Sequence, residues 1–363
     1  MNRIIIVGGG VIGLLTAHEL ASAGHAVTLF ERGETGRESS WAGGGIVSPL
    51  FPWRYLDSVT ALASWSQAVY PAFCAALAEH TGIDPEYTEN GLILIAPDEA
   101  DEAQRWAAQH RHALSLIDRD TFHHLEPQAA EPADAALWMP NVGQVRNPRL
   151  VRALRQRVWQ LGVDVRTGDA VVDLLMTDGR CRGVRSTSGT LEADAVAVCA
   201  GAWSAKVLAD YAAPPAIHPI RGQMLLFKAP AGTITRMVLE SNRYVIPRRD
   251  GRTLFGSTIE DVGFDKQTTE AARDELYAIA TARFPVLKQH PVEAHWAGLR
   301  PSSPAGVPFI GRHPQIGNLF VNAGHFRNGI VLGPASARLL ADLVLDRPPI
   351  VDPAPYRWTA ARG

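Results

Sequence analysis

Glycines at positions 8, 10 and 13 are spaced G-x-G-x-x-G, directly after an apolar run at 4–7 and at the start of a helix-patterned segment, 11–23. A second apolar run, 26–30, ends at an acid, Glu31. Residue types in this order suit the binding of a dinucleotide. Gly8 lets the chain turn sharply off a strand, Gly10 lets a pyrophosphate approach the backbone, and Gly13 lets the helix pack closely on the sheet. The free N–H groups and positive dipole end of that helix then face the phosphates. Glu31 stands where a carboxylate accepts hydrogen bonds from a ribose hydroxyl, and it would repel a 2′-phosphate.

Two further stretches extend the same chemistry. Residues 36–46 offer the hydroxyls of Ser39 and Ser40, then three glycines at 43–45 that allow backbone contact with something flat and large. Near the other end, an apolar strand at 319–323 runs into the polar turn Gly324-His325-Phe326-Arg327-Asn328-Gly329 and a helix reaching about residue 345. The N-terminus of that helix aims its dipole at whatever lies above the sheet. A nicotinamide dehydrogenase has no need of this returning unit. A flavin does, because negative charge develops at N1 and C2=O on reduction.

The remaining chain must position these groups. A buried strand ending at Cys199-Ala200-Gly201 brings the chain back to the first sheet, with Gly201 close to the nucleotide. Residues 57–80 read as a helix closed by Thr81-Gly82, and 147–161 as a basic amphipathic helix. Asp178-Gly179 and Asp250-Gly251 mark hairpin turns. Residues 86–146 mix short strands and polar helices, broken by Pro127, Pro132 and Pro140, while 218–255 is strand-rich and 268–284 helical.

Composition sets the bounds. The 363 residues are enough for two domains. A net charge of −2 and 46% hydrophobic residues give no electrostatic case for nucleic acid or an anionic membrane. No apolar run reaches the roughly 18 residues of a spanning helix. Cys74, Cys181 and Cys199 are far apart and read as buried thiols in a reducing compartment, and no metal motif is present. A secretory reading of 1–23 would remove the fingerprint by cleavage, and His18 and Glu19 interrupt its apolar run.

With these motifs together, GGGVIG at 8–13, ESSWAGGGI at 38–46, YVIPR at 244–248, WAGLRP at 296–301, IGRHP at 310–314 and AGHFRNGI at 323–330, the chain resembles the D-amino acid oxidase family of flavoproteins over essentially its whole length. It is most similar to the branch that oxidises glycine for the thiamine pathway. The resemblance implies an α/β fold with a discontinuous, Rossmann-like FAD-binding domain (1–85, 147–212, 296–363). A second, α+β substrate domain (86–146, 213–295) would be built on an antiparallel sheet. It implies FAD contacts at Val11, Ile12, Glu31, Arg32, Ser39, Ser40, Gly44, Gly45, Ile46 and Val171, and from His325 through Phe326, Arg327, Asn328, Gly329 and Ile330 to Val331. Arg327 would pair with the substrate carboxylate, with Arg300 and Tyr244 lining the same site. Some relatives link flavin to a cysteine after the Gly-Arg stretch; Gly311-Arg312-His313-Pro314 has none, so FAD is expected to be noncovalent. Two departures bear on pocket size and substrate preference: Asn242 stands where relatives can carry His, and Ile46 where a Met can follow the glycines.

The chemistry this implies is oxidative deamination of glycine, sarcosine or a small D-amino acid. A two-pronged guanidinium–carboxylate pair fixes the substrate and holds its Cα–H near flavin N5. No general base is needed if the amine binds neutral. The products are a 2-oxo acid, ammonia or an amine, and hydrogen peroxide from O₂. The expected setting is a cytoplasmic homo-oligomer, a tetramer by resemblance, with no nucleic-acid or membrane partner. The alternatives within the family are a D-amino acid dehydrogenase passing electrons to a quinone and an oxidase of N-substituted amino acids. A tRNA-linked role would want a basic face or an added domain, and the chain has neither.

Overall fold

The computed structural model describes residues 2–130, 133–211 and 214–362; Pro132 and the expected boundary at 212–213 lie outside them. The apolar run at the start forms the strand Arg3–Val7 in the middle of a six-stranded sheet. It pairs in parallel with Ala26–Glu31 on one side and Ala195–Val198 on the other. Leu319–Ala323 and Asp164–Thr167 extend the sheet in parallel, and Phe309–Arg312 closes one edge antiparallel. Both faces of this sheet are covered, which is why its central strands read as unbroken apolar runs rather than alternating ones. The helices Val11–Ser22, Asp57–Thr81, Asn147–Gln160 and Gly329–Val344 supply the core on one face. Opposite lies a small antiparallel sheet, Val171–Thr177, Arg180–Ser186 and Gly189–Glu192, turned at Asp178-Gly179 as the sequence predicts.

An eight-stranded sheet carries the other half of the molecule. It is antiparallel except where Met237–Glu240 pairs in parallel with Leu92–Ile95. Its longest pair joins His218–Lys228 to Val292–Ser302. The second of these strands crosses the boundary expected at 295–296 and lies wholly within this sheet. One face packs against the helix Glu270–Arg283, while the other carries Ile46, Leu50, Met224 and Tyr244.

Helix ends follow their local chemistry with small shifts from the sequence reading. Gly82 closes the helix Asp57–Thr81 with a left-handed backbone, φ 69°. The cap of Arg119–Leu125 is Asp118, whose carboxylate accepts from the Thr121 N–H. Past Gly201 a short helix spans Ser204–Val207.

Candidate active site

A cleft of about 420 Å³ runs between the two large sheets, and it begins at the fingerprint turn. Gly8 has φ +112°, and a Cβ there would lie 2.5 Å from the Cys199 carbonyl oxygen. A Cβ on Gly13 would sit 1.9 Å from the Gly8 carbonyl oxygen. Gly13 therefore lets the helix Val11–Ser22 press onto the turn and does not itself line the cleft, whereas Gly8, Gly10, Val11 and Ile12 do. Glu31 lines it too, with its carboxylate fixed by the N–H groups of Gly9 (2.8 Å) and Gly33 (2.9 Å). Each oxygen thus uses one acceptor position and keeps capacity for another donor.

The flavin-loop candidates form the opposite wall. Ser40 Oγ accepts the Val11 N–H at 2.8 Å, so this hydroxyl ties the loop to the first helix as well as facing the cleft. Ser39 Oγ donates to the Leu299 carbonyl. Trp296 Nε1 donates to the Ala42 carbonyl at 3.0 Å, and a Cβ on Gly298 would lie 2.5 Å from Ala42 Cβ. The WAGLRP motif is thereby accounted for: Trp296 and Gly298 dock the loop and Arg300 enters the cleft. Gly44, Gly45 and Ile46 line the cleft. Behind them, the buried Arg248 donates to the carbonyls of Gly44 (2.7 Å) and Val145 (2.8 Å) and to Gln144 Oε1 (2.6 Å). Burial pushes its pKa down to about 10.

The C-terminal turn meets the fingerprint from the other side. Gly329 and Ile330, the first residues of the 16-residue helix Gly329–Val344, line the cleft, as do His325, Phe326 and Arg327. His325 is buried against Ser336 Oγ at 3.0 Å, and desolvation pushes its pKa down to about 3, so it is neutral at working pH. Asn328 and Val331 lie outside the lining. Asn328 is buried before the helix with both side-chain polar atoms unpartnered among the described residues, and Val331 packs in the core. Val171 and Gly201 also line the cleft. So do Trp203 and Lys206, which the sequence does not signal; Arg32 lies 3.7 Å above the Trp203 ring.

One end of the cleft is rich in cations. Arg300 donates to Ser257 Oγ (2.6 Å) and to the carbonyls of Thr258 and Arg221, over Gly222, where a Cβ would lie 2.0 Å from Nη2. The Tyr244 hydroxyl, from the strand Arg243–Pro247, donates to the same Ser257 Oγ at 3.2 Å. Burial lowers the Arg300 pKa, and the charge of Arg327 adds to that. Arg327 Nη1 donates to Asn242 Oδ1 at 3.1 Å, while Nη2 is buried without a partner. Neither guanidinium pairs with a carboxylate among the described residues. Two like charges held together with an unpaired buried nitrogen call for an anion between them.

The profile describing FAD dependent oxidoreductases matches residues 3–343. The chain belongs to that family. A glycine oxidase of Pseudomonas aeruginosa is 48% identical over 98% of both chains. The crystal structure of glycine oxidase from Geobacillus kaustophilus superposes with a TM-score of 0.91 at 32% identity, over 100% of each chain. The bifunctional protein ThiO/ThiG of Trichormus variabilis is 31% identical over 95% of this chain and 53% of its own length. As a member of this family the chain takes FAD, and its residues fit that group. Gly8 and Gly10 present bare backbone to the cleft, and Glu31 keeps free acceptor capacity. Gly45 and Ile46 have no backbone N–H bond to another described residue, so their donors are available on the cleft wall.

Proposed function

We propose that the protein is an amino acid oxidase acting on glycine, with sarcosine and small D-amino acids as secondary substrates. The observation that carries this reading is the pair of guanidinium groups, Arg300 and Arg327, that face one cleft end without a carboxylate partner among the described residues. A substrate carboxylate meets that charge, and the buried Arg327 Nη2 gives it one of two parallel bonds. Tyr244 has one hydroxyl proton, which it gives to Ser257 Oγ and would turn to the substrate carboxylate on binding. Fixing one end of so small a molecule fixes its Cα relative to the cleft floor, and that positioning supplies much of the rate. FAD, held noncovalently, would supply the two-electron oxidation of the substrate amine, with O₂ as the final acceptor. Gly8, Gly10, Val11, Ile12, Glu31 and the loop at 39–46 would hold the cofactor, with the helix Gly329–Val344 directing its positive end at it. The amine needs no protein base if it binds neutral, and among cleft residues the neutral, buried His325 is bonded to Ser336 rather than free to exchange a proton.

The likeness to glycine oxidases and to ThiO/ThiG supports a role in supplying the oxidised glycine used to build the thiamine thiazole ring. The reading extends to a division into an FAD-binding and a substrate-binding domain along the two large sheets, in a cytoplasmic homotetramer. Glycine added in air to the purified yellow protein should give glyoxylate, ammonia and hydrogen peroxide in equal amounts. No peroxide from glycine, sarcosine or D-alanine overturns the reading.

A further inference from the structure

The carboxylate grip proposed above depends on where the Arg327 side chain is held, and one residue sets that. Asn242 sits in the turn between Met237–Glu240 and Arg243–Pro247, just after Ser241, whose φ is 52°. Asn242 stands two positions before Tyr244, and both side chains reach the cationic end of the cleft. Asn242 Oδ1 accepts Arg327 Nη1 at 3.1 Å, and the Asn242 carbonyl accepts the Ser257 N–H at 3.5 Å. Ser257 Oγ in turn accepts from both Arg300 and Tyr244. One hairpin turn therefore connects all three groups at the cationic end.

We infer that Asn242 is a positioning residue that fixes the Arg327 guanidinium while leaving its charge for the substrate. The inference rests on the amino acid oxidase reading. An amide oxygen is a neutral acceptor: it orients one arm of the fork without cancelling its charge. A carboxylate at this position would hold Arg327 equally well, but it would occupy the charge that the substrate acid must find. An apolar side chain would free the long arginine to sample other rotamers, which the substrate must then re-order. Asn242 is exposed, so its replacement does not open a hole in the core.

The test compares the wild-type holoenzyme with Asn242→Ala and Asn242→Asp. Acetate, a carboxylate without an amine, is titrated at pH 8 and followed by the change in the bound flavin's visible spectrum. Glycine turnover is measured in parallel. Acetate binding should weaken about 3- to 10-fold in Asn242→Ala and at least 30-fold in Asn242→Asp, with KM for glycine rising in the same order. FAD content and thermal midpoint should match wild type in both variants. An Asn242→Asp enzyme that binds acetate within twofold of wild type, or no more weakly than Asn242→Ala, overturns the inference. A fall in kcat with unchanged acetate affinity also overturns it. Loss of acetate binding in the wild type itself would instead refute the oxidase reading on which the inference rests.

Discussion

Replacing Arg327 with Met removes the group on which the proposed grip depends and keeps most of the volume of its stem. Arg327 has one arm on Asn242 and one buried nitrogen unpaired, so it can give a substrate carboxylate two charge-assisted bonds. At about 1.5–3 kcal/mol for each such bond, the gross loss is about 3–6 kcal/mol. Arg300 and Tyr244 face the same end of the cleft and would retain part of the carboxylate, and Arg327 is not fully buried, so the lower limit applies. A loss of about 3 kcal/mol is roughly a 10²-fold fall in kcat/KM. Asn242, left without its donor, is exposed and can turn to water. The assay is peroxide release over a glycine series, with anaerobic rapid mixing to separate binding from flavin reduction. Arg327→Lys, a single point charge without the fork, should fall between Met and wild type. An Arg327→Met enzyme with kcat/KM within threefold of wild type and normal FAD content would refute the reasoning.

Three further outcomes follow from the geometry. Gly13→Val should yield a protein that purifies with little FAD, because even a Cβ would lie 1.9 Å from the Gly8 carbonyl oxygen and force the helix off the turn; the absorbance ratio at 450 and 280 nm reads this. Arg248→Met should destabilise the fold by about 2–5 kcal/mol in urea, since it strips two buried acceptors and the half-buried Gly44 carbonyl of their donor. His325 should make the fold acid-labile: the folded state keeps it neutral down to about 3, whereas the unfolded chain takes up a proton below 6.5. The unfolded state then binds more protons, so stability is complete above that value and falls by up to about 1.4 kcal/mol per pH unit below it. Thermal midpoints from pH 7 to 4 should fall less steeply in His325→Gln.

Much of this arrangement is legible in the chain. The run 4–7, the spaced glycines and Glu31 read as strand, turn and helix because each is set by local chemistry, and the turn at 324–328 does so for the same reason. The resemblance names Tyr244, Arg300 and Arg327, which the fold brings to one end of the cleft from segments far apart in sequence. What local pattern does not give is the long-range support. Ser257 and Gly222 look like ordinary sheet residues, yet one holds Arg300 and Tyr244 and the other makes room for Arg300. Arg248 sits in a quoted motif, but its partners at Gly44, Gln144 and Val145 are defined only once three segments meet. Val292–Ser302 hides its strand character behind Gly298 and Pro301, because its pairing with His218–Lys228 overrides local propensity. Val331 illustrates the opposite limit: the resemblance includes it in the flavin-contacting run, but it packs in the core, outside the cleft lining.

If the two ends of the chain enclose one flavin beside a grip for a small acid, glycine must reduce that flavin. Adding glycine to the purified, air-free protein while recording its visible spectrum tests this most directly. The protein should be yellow, with a flavin band near 450 nm that bleaches with saturable dependence on glycine and returns when air is admitted. A colourless protein that takes up no FAD, or a yellow one whose band is unchanged by glycine, sarcosine and D-alanine alike, would contradict it.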